Sequence, residues 1–579
     1  GRLLCQAPTG IGKSMSVLFP ALKSMGNENV GPIFYLTARG TTRTAAENAL
    51  AILRDTEPEL HLRSVTLTAK DKICLCETRE CTPEACPYAN GYYARIKGAL
   101  WDVLDVPCLT AETLQEYAER HTVCPFELGL DSSLWSDVII GDYNYLFDPV
   151  VHLVRFFESA GDYIFLVDEA HNLPGRAREM HSAALTKTSF YEAKKLLGKG
   201  KSSLKNALTK VNDVFIEWRH RAEEETAARD GRFGKTFFLK ERSEEFDHLL
   251  NRLCEPLEAW LDDHREPDET HTALLQLYFD VRAWLRVADT FDDHFVLQIT
   301  ASGSEVRAAQ LCLDPSAFLA DSFALGRAAV LFSATLAPAS YYKDLCGVPE
   351  ARAVALRSPF PAGNQGLFCI GNVSTRYKDR DASLAIVAES LATMVRAHCG
   401  NYLAFFPSYA YMEQAYAQFK EHCPEINCIK QENAMDEQQK AAFLAQFVPG
   451  PSQSLLGFAV MGGVFGEGVD LTGDRLIGVG IVGPGLPQVG PRQEQLRDYF
   501  EQTRGSGFDY AYRYPGMNKV LQAAGRVIRT PRDKGVVLLI DNRFAMPDYR
   551  RLMPPHWSHL KMIYDTEKLE RELWRFWEE

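Results

Sequence analysis

Lys13 and Ser14 follow Ala-Pro-Thr-Gly-Ile-Gly, an order that sets a cation and a hydroxyl directly behind two glycines. Glycines expose backbone N–H groups that wrap polyphosphate oxygens, lysine reaches the terminal phosphates, and a serine hydroxyl ligates magnesium. Thr9, Gly10, Gly12, Lys13 and Ser14 are therefore candidate nucleotide contacts. Ala7 stands where the common phosphate-loop pattern has glycine, so an ordinary glycine-rich strand-to-helix turn stays open as the alternative. Asp168 and Glu169 follow the apolar run YIFLV. Paired carboxylates at the end of a buried strand suit a magnesium ligand (Asp168) and a base for the attacking water (Glu169), although acidic residues also favour a helix N-terminus. Gln522, Arg526 and Arg529 recur at i, i+4, i+7 and share one helical face. Two guanidinium groups aimed together at a phosphate stabilise the charge of phosphoryl transfer; paired with acids, they would be a plain basic face. Ser333 and Thr335, in VLFSATLAP, could couple a hydrolysis site to a moving neighbour. GGVFGEGVDL adds a glycine-rich loop in which Gly468 and Asp470 are further nucleotide contacts.

A second set of chemically loaded residues is the cysteines. Six of fourteen (Cys74, Cys76, Cys81, Cys86, Cys108, Cys124) fall within 51 residues, where even spreading would put about one. The first residues carry no secretory pattern, which makes disulfides a poor account of the cluster and points to a metal or iron–sulfur site in a cytoplasmic protein. Spacing alone leaves zinc and iron–sulfur open; paired C-x2-C knuckles are missing.

These residues need elements to position them. Short runs rich in Val, Ile, Leu and aromatic residues end at Thr37, Gly141, Asp168 and Ser333, and again at Pro407, Met461, Gly483 and Asp541. Such runs, separated by helical patterns, predict α/β folding with two parallel sheets, one per half, and ligands at the carboxyl ends of the strands. Between the halves, Leu204, Leu208, Val211, Phe215 and Trp218, then Phe246 to Leu261, then Leu274 to Ala288 keep helical spacing, which predicts a helical insertion over 188–288. The 579 residues exceed one core and suggest about three or four domains. No apolar run reaches the length of a membrane span; LIGVGIVGPGL at Leu476 to Leu486 reads as a buried strand and turn. The net charge of −13 argues against a protein that coats nucleic acid through its overall field, yet allows a local basic groove.

In this order and spacing APTGIGKS, LTARGTT, DEAH, FSATLAP, FFPSYAYMEQ, FGEGVDL and QAAGRVIRT resemble motifs I, Ia, II, III, IV, V and VI of superfamily 2 helicases, and more narrowly the iron–sulfur branch typified by XPD and DinG. The resemblance implies two RecA-like domains that sandwich ATP and Mg2+ and step along single-stranded DNA, 5′ to 3′. It implies domain 1 at 1–69, 125–187 and 289–340, an iron–sulfur domain at 70–124, an Arch-like insertion at 188–288 and domain 2 at 341–579. It implies a [4Fe-4S] cluster on Cys74, Cys81, Cys86 and Cys124, with Cys76 and Cys108 as bystanders. It implies DNA contacts at Thr37, Arg39, Thr41 and Ser408, a monomer acting on single strands and forked or 5′-tailed duplexes, and no membrane partner. Tyr143, Tyr145 and Phe147 could stack on bases, but buried packing is the better reading. Two rival functions stay in view: a nucleotide-switched DNA clamp or remodeller that leaves strands paired, and a P-loop kinase or other small-molecule NTPase, against which the second sheet and the paired arginines argue.

Overall fold

A computed structural model describes residues 1–578 apart from 29, 39, 199–201, 229–233, 267, 464 and 466–470; of 27, 28, 40, 41 and 226–228 the backbone alone is described. The chain enters at Arg2–Gln6 (β1) and continues through Ile33–Thr37 (β2), Ser64–Thr66 (β3), Cys108–Leu109 (β4), Val138–Asp142 (β5) and Gly161–Asp168 (β6). It then leaves this sheet for Ala183–Thr186 (β7), Lys235–Leu239 (β8), Phe295–Ser302 (β9) and Glu305–Cys312 (β10). It returns with Gly326–Ser333 (β11) and Arg352–Ala355 (β12), which close an all-parallel sheet of order β12-β1-β11-β6-β2-β5-β3-β4. All five residues of β2 are buried, as expected of a parallel strand covered on both faces by helices.

The second lobe repeats the scheme. Gln365–Ile370 (β13), Asn401–Phe406 (β14), Asn427–Lys430 (β15), Leu455–Val460 (β16), Gly478–Val482 (β17), Gly535–Ile540 (β18) and Lys561–Ile563 (β19) form a parallel sheet of order β15-β16-β14-β17-β18-β13-β19. The two parallel sheets read from the strand-end pattern, one per half, are observed. Tyr143, Tyr145 and Phe147 are buried core residues rather than a base-stacking platform. No helix among the described residues is long and apolar enough to cross a membrane.

The insertion differs from the all-helical expectation. Its helices Ser203–Ala228, Glu244–Asp263 and Glu269–Thr290 pack Phe215, Trp218, Phe246 and Trp284 together, as their spacing predicts, but onto the antiparallel sheet β7-β10-β9-β8. Residues 295–312, expected within the first lobe, are β9 and β10 of that sheet. The physical reason is pairing: β9 bonds β10 from Phe295 to Ser302, and β10 bonds β7, so the strands entering and leaving the insertion lie side by side. Within its core Trp284 Nε1 donates to Asp247 Oδ1 at 2.8 Å. Burial holds the Asp247 carboxyl above its ordinary range, only partly opposed by Trp284 and Arg242. The folded chain therefore keeps this proton to higher pH than the unfolded chain, and the stability it contributes is lost as pH rises through the raised value. Asp247→Asn, which keeps the Trp284 bond, should flatten that part of the stability–pH profile in thermal denaturation; a profile unchanged from the parent would refute the assignment.

Candidate active site in the interlobe cleft

The phosphate-type loop sits where strand order places it. β1 ends at Gln6, residues 7–12 turn, and the helix Lys13–Glu28 begins at the lysine, with Gly10 and Gly12 at φ 81° and 72°. These are left-handed conformations that favour glycine. At Gly10 space forbids a side chain as well: a Cβ there would lie 2.1 Å from the Arg529 carbonyl oxygen and 2.6 Å from the Phe360 ring. Thr9 Oγ1 donates to the Gly525 carbonyl at 3.1 Å. The second lobe thus rests directly on the loop. One cavity of about 590 Å³ is lined by Thr9, Gly10, Lys13 and Glu169 from the first lobe and by Gln522, Arg526 and Arg529 from the second. A cavity with a lysine on one wall and two arginines on the other suits a polyphosphate.

The carboxylates stand at the end of β6, next to β11 in the sheet, so Glu169 and Ser333 are neighbours because two parallel strands end together. Glu169 takes a left-handed backbone at φ 49°, a conformation that costs a non-glycine residue about 1–3 kcal/mol. Its carboxylate is held from two sides. Lys13 Nζ lies 3.3 Å from Oε1, and Ser333 Oγ donates to Oε2 at 2.9 Å. His171 Nδ1 lies 2.7 Å from Ser333 Oγ, and the Gln522 amide nitrogen lies 2.5 Å from His171 Nε2. The assignment that satisfies these three contacts is one directed chain: Gln522 donates to His171 Nε2, His171 Nδ1–H donates to Ser333, and Ser333 donates to Glu169. It runs from the second lobe to the carboxylate of the first. Burial alone would raise Glu169, but Lys13, His171 and Ser333 outweigh it and hold the group well below the usual carboxylate range. Asp168 is pushed the other way, by burial and by the adjacent Glu169 charge. The two neighbouring carboxyls are thus shifted in opposite directions, and loss of the Lys13 contact would let Glu169 rise toward the range of a base.

Ser14 and Asp168 converge on one phenol. Tyr35 OH lies 2.9 Å from Ser14 Oγ and donates to Asp168 Oδ2 at 2.8 Å, while Tyr143 OH donates to the Asp168 carbonyl. Two hard oxygen donors gathered beside a phosphate loop fit magnesium, which takes few protein ligands and completes its shell with phosphate and water.

The remaining sequence-derived candidates are placed less uniformly. Thr37 is fully buried with its hydroxyl turned to the Gly141 carbonyl, beneath any surface a strand could touch. Ser408 caps the helix Tyr409–His422 and accepts from Arg380 Nη1 at 3.3 Å. Arg39, Gly468 and Asp470 lie outside the described residues, as does the side chain of Thr41. Among the described residues no three Cys, His, Asp or Glu side chains converge as a metal site, so the four expected ligands do not form a cage. Cys76, expected to be a bystander, has its sulfur 3.9 Å from that of Cys86, whereas Cys81 is exposed. Sequence reasoning also missed Tyr35, which looks like one more core aromatic in β2, and the relay role of His171; the hydroxyl at Ser333 was the one signal that pointed to the relay.

The chain is similar to known helicases. Residues 57–190 match the DEAD_2 family model and residues 391–560 the model described as Helicase C-terminal domain. The chain is 24% identical to the general transcription and DNA repair factor IIH helicase subunit XPD of Schizosaccharomyces pombe, over 77% of this chain and 67% of that one. It is 22% identical to the ATP-dependent DNA helicase CHL1 of Coccidioides immitis, over 78% and 60%. It is also 22% identical to the regulator of telomere elongation helicase 1 of Rattus norvegicus, over 86% and 45%, so it spans about half to two thirds of these relatives' lengths. Among solved structures, the one titled XPD_Helicase covers 97% of the chain, and 96% of its own, at a TM-score of 0.63 and 18% identity; the S. tokodaii Xpd4 structure covers the same shares at 0.60 and 14%.

The contact at Gly10 generates a prediction. Gly10→Ala should wedge the lobes apart, raising the radius of gyration in small-angle scattering and abolishing binding of a fluorescent ATP analogue; a compact variant that still binds would show that the lobes do not meet on this loop.

Proposed function

The chain belongs to the XPD/DinG-like superfamily 2 helicases, and from that premise we propose that it hydrolyses ATP between its lobes and uses their closure to advance along single-stranded DNA, 5′ to 3′, separating strands of 5′-tailed or forked duplexes. The observation that carries this reading is the shared cavity, with Lys13 and Glu169 on one wall and Arg526 and Arg529 on the other. In this reading Lys13 leaves Glu169 for the terminal phosphates when ATP enters, because a polyphosphate offers the ammonium more negative charge than one carboxylate. Glu169, freed on that side and still oriented by Ser333, accepts a proton from the attacking water. Thr9, Gly10 and Gly12 shape the cradle, Gly468 and Asp470 are the further nucleotide contacts that the sequence offers, and Arg526 and Arg529 stabilise the charge that develops in transfer. Gln522 reports closure through His171 and Ser333. Ser14 and Asp168 would hold magnesium, which would neutralise phosphate charge when bound.

DNA contacts in this reading come from the carboxyl-end loops that carry Arg39, Thr41 and Ser408. A [4Fe-4S] cluster on Cys74, Cys81, Cys86 and Cys124 rests on the family resemblance alone, and no step of the ATP chemistry uses it. A broad visible absorption band from anaerobically purified protein would support it, and a colourless protein containing zinc would overturn it.

The central test is ATP turnover with and without single-stranded DNA. The parent should be stimulated by DNA; Lys13→Ala should lose turnover, and Arg526→Ala should lower it at least about a thousandfold. Turnover that survives Lys13→Ala removes the site. Displacement of a strand from a 5′-tailed but not a 3′-tailed duplex is expected; DNA-stimulated turnover with no displacement on either would make the chain a nucleotide-switched clamp.

A further inference from the structure

Arg380 is a cation in the wrong place for a protein left to itself. It is the first residue of the helix Arg380–Arg396, and its Nη1 donates to Ser408 Oγ, the cap of the helix Tyr409–His422. Two helix N-termini, both ends of positive potential, therefore meet at one guanidinium, where a basic side chain is disfavoured. Among the described residues it has no carboxylate partner. Asp379 accepts instead from Ser374 Oγ at 2.6 Å, and Asp541 is taken by Arg543 at 2.7 Å. Its Nε is buried without a hydrogen-bond partner. Among the described residues its charge is offset by the ring faces of Tyr377 and Tyr411, 5.4 and 5.0 Å away. Burial and the nearby Arg543 accordingly make the charged form harder to keep than in water.

The neighbouring surface is unusual in a complementary way. Tyr377 is 87% exposed, with one face near Arg380 and the rest open to solvent. Arg376 spends its Nη1 on two neutral oxygens, Ser374 Oγ and Asn542 Oδ1, both at 3.3 Å. The loop 371–379 after β13 and the turn after β14 both leave the carboxyl edge of the second sheet. Cations without anions, two helix N-termini and a bare aromatic ring are the components of a site for one phosphodiester and its base.

We propose that the notch formed by Arg380, Ser408 and Tyr377 is a single-nucleotide clamp on the second lobe: Arg380 and the Ser408 cap hold a backbone phosphate of single-stranded DNA, and Tyr377 stacks on the adjoining base. This rests on the reading of the chain as a single-strand translocase and adds the residues through which its second lobe grips the strand. A clamp of this kind carries no sequence preference, because every base presents a π face and every nucleotide a phosphate.

The test is fluorescence anisotropy of the whole chain with labelled oligo(dT), repeated across salt concentrations. Arg380→Ala and Arg380→Gln should each weaken binding about tenfold and lower the salt slope by about one, as for loss of one phosphate contact. Tyr377→Ala should weaken binding about tenfold with the slope unchanged, and Tyr377→Phe should bind like the parent. On an abasic oligonucleotide the Tyr377→Ala effect should vanish while the Arg380 effect persists. ATP turnover without DNA should be unaltered in all four, since neither residue lines the nucleotide cavity. Parent-like affinity and slope in both Arg380 variants and in Tyr377→Ala would overturn the clamp while leaving the translocase reading intact. A parent chain that binds no single-stranded DNA would remove both, and losses on oligo(rU) alone would move the site to RNA.

Discussion

Everything in the cleft depends on how one carboxylate is held. Glu169 sits on a strained backbone between an ammonium of its own lobe and a series of donors that begins in the other lobe. Such a group answers to two inputs: what Lys13 is doing, and whether Gln522 is within reach of His171. The parallel β6 and β11 are needed to bring Glu169 and Ser333 together, the second sheet to present the helix that carries Gln522, and the tight contact at Gly10 to keep that helix close. The fold can be read as the scaffold for this one arrangement.

The chemical half of the site was legible in the sequence because its signals are local. Gly10 to Ser14 is a turn entering a helix and DEAH ends a buried strand, each fixed by a few residues of spacing; Gln522, Arg526 and Arg529 do line one cavity, but not as the expected helical face, because the helix Tyr514–Ala524 stops before the arginines and they follow it in a turn. Relations between distant segments were not legible. Tyr35 lies in the middle of an apolar strand, where an aromatic residue reads as packing, and only the tertiary structure brings its hydroxyl to Ser14 and Asp168. Thr37 was expected to touch DNA only through the family resemblance; here the last residue of β2 is fully buried.

The two parallel sheets were recoverable for a similar reason: strands buried on both faces are written as continuous apolar runs. The antiparallel sheet of the insertion was not. β9 buries one side in part of its length and mixes Gln298 and Thr300 with apolar residues, a pattern that a neighbouring helix period easily masks. The cysteines mark another boundary, since clustering in sequence brought Cys76 and Cys86 together and did not gather Cys74, Cys81, Cys86 and Cys124 around one point.

Because β7 pairs along its length with the middle of β10, the route out of the first lobe and the route back lie side by side as one stem. Ser182 Oγ accepts from the Cys312 amide, and Arg178 Nε donates to the Leu313 carbonyl, so the stem is stitched at its base. Residues could be added to or taken from the outer end of this appendage without altering the spacing between Glu169 and Ser333. The base of the appendage is nevertheless tied to the second lobe, where Arg504 Nη2 lies 3.2 Å from Asp314 Oδ2 just past β10.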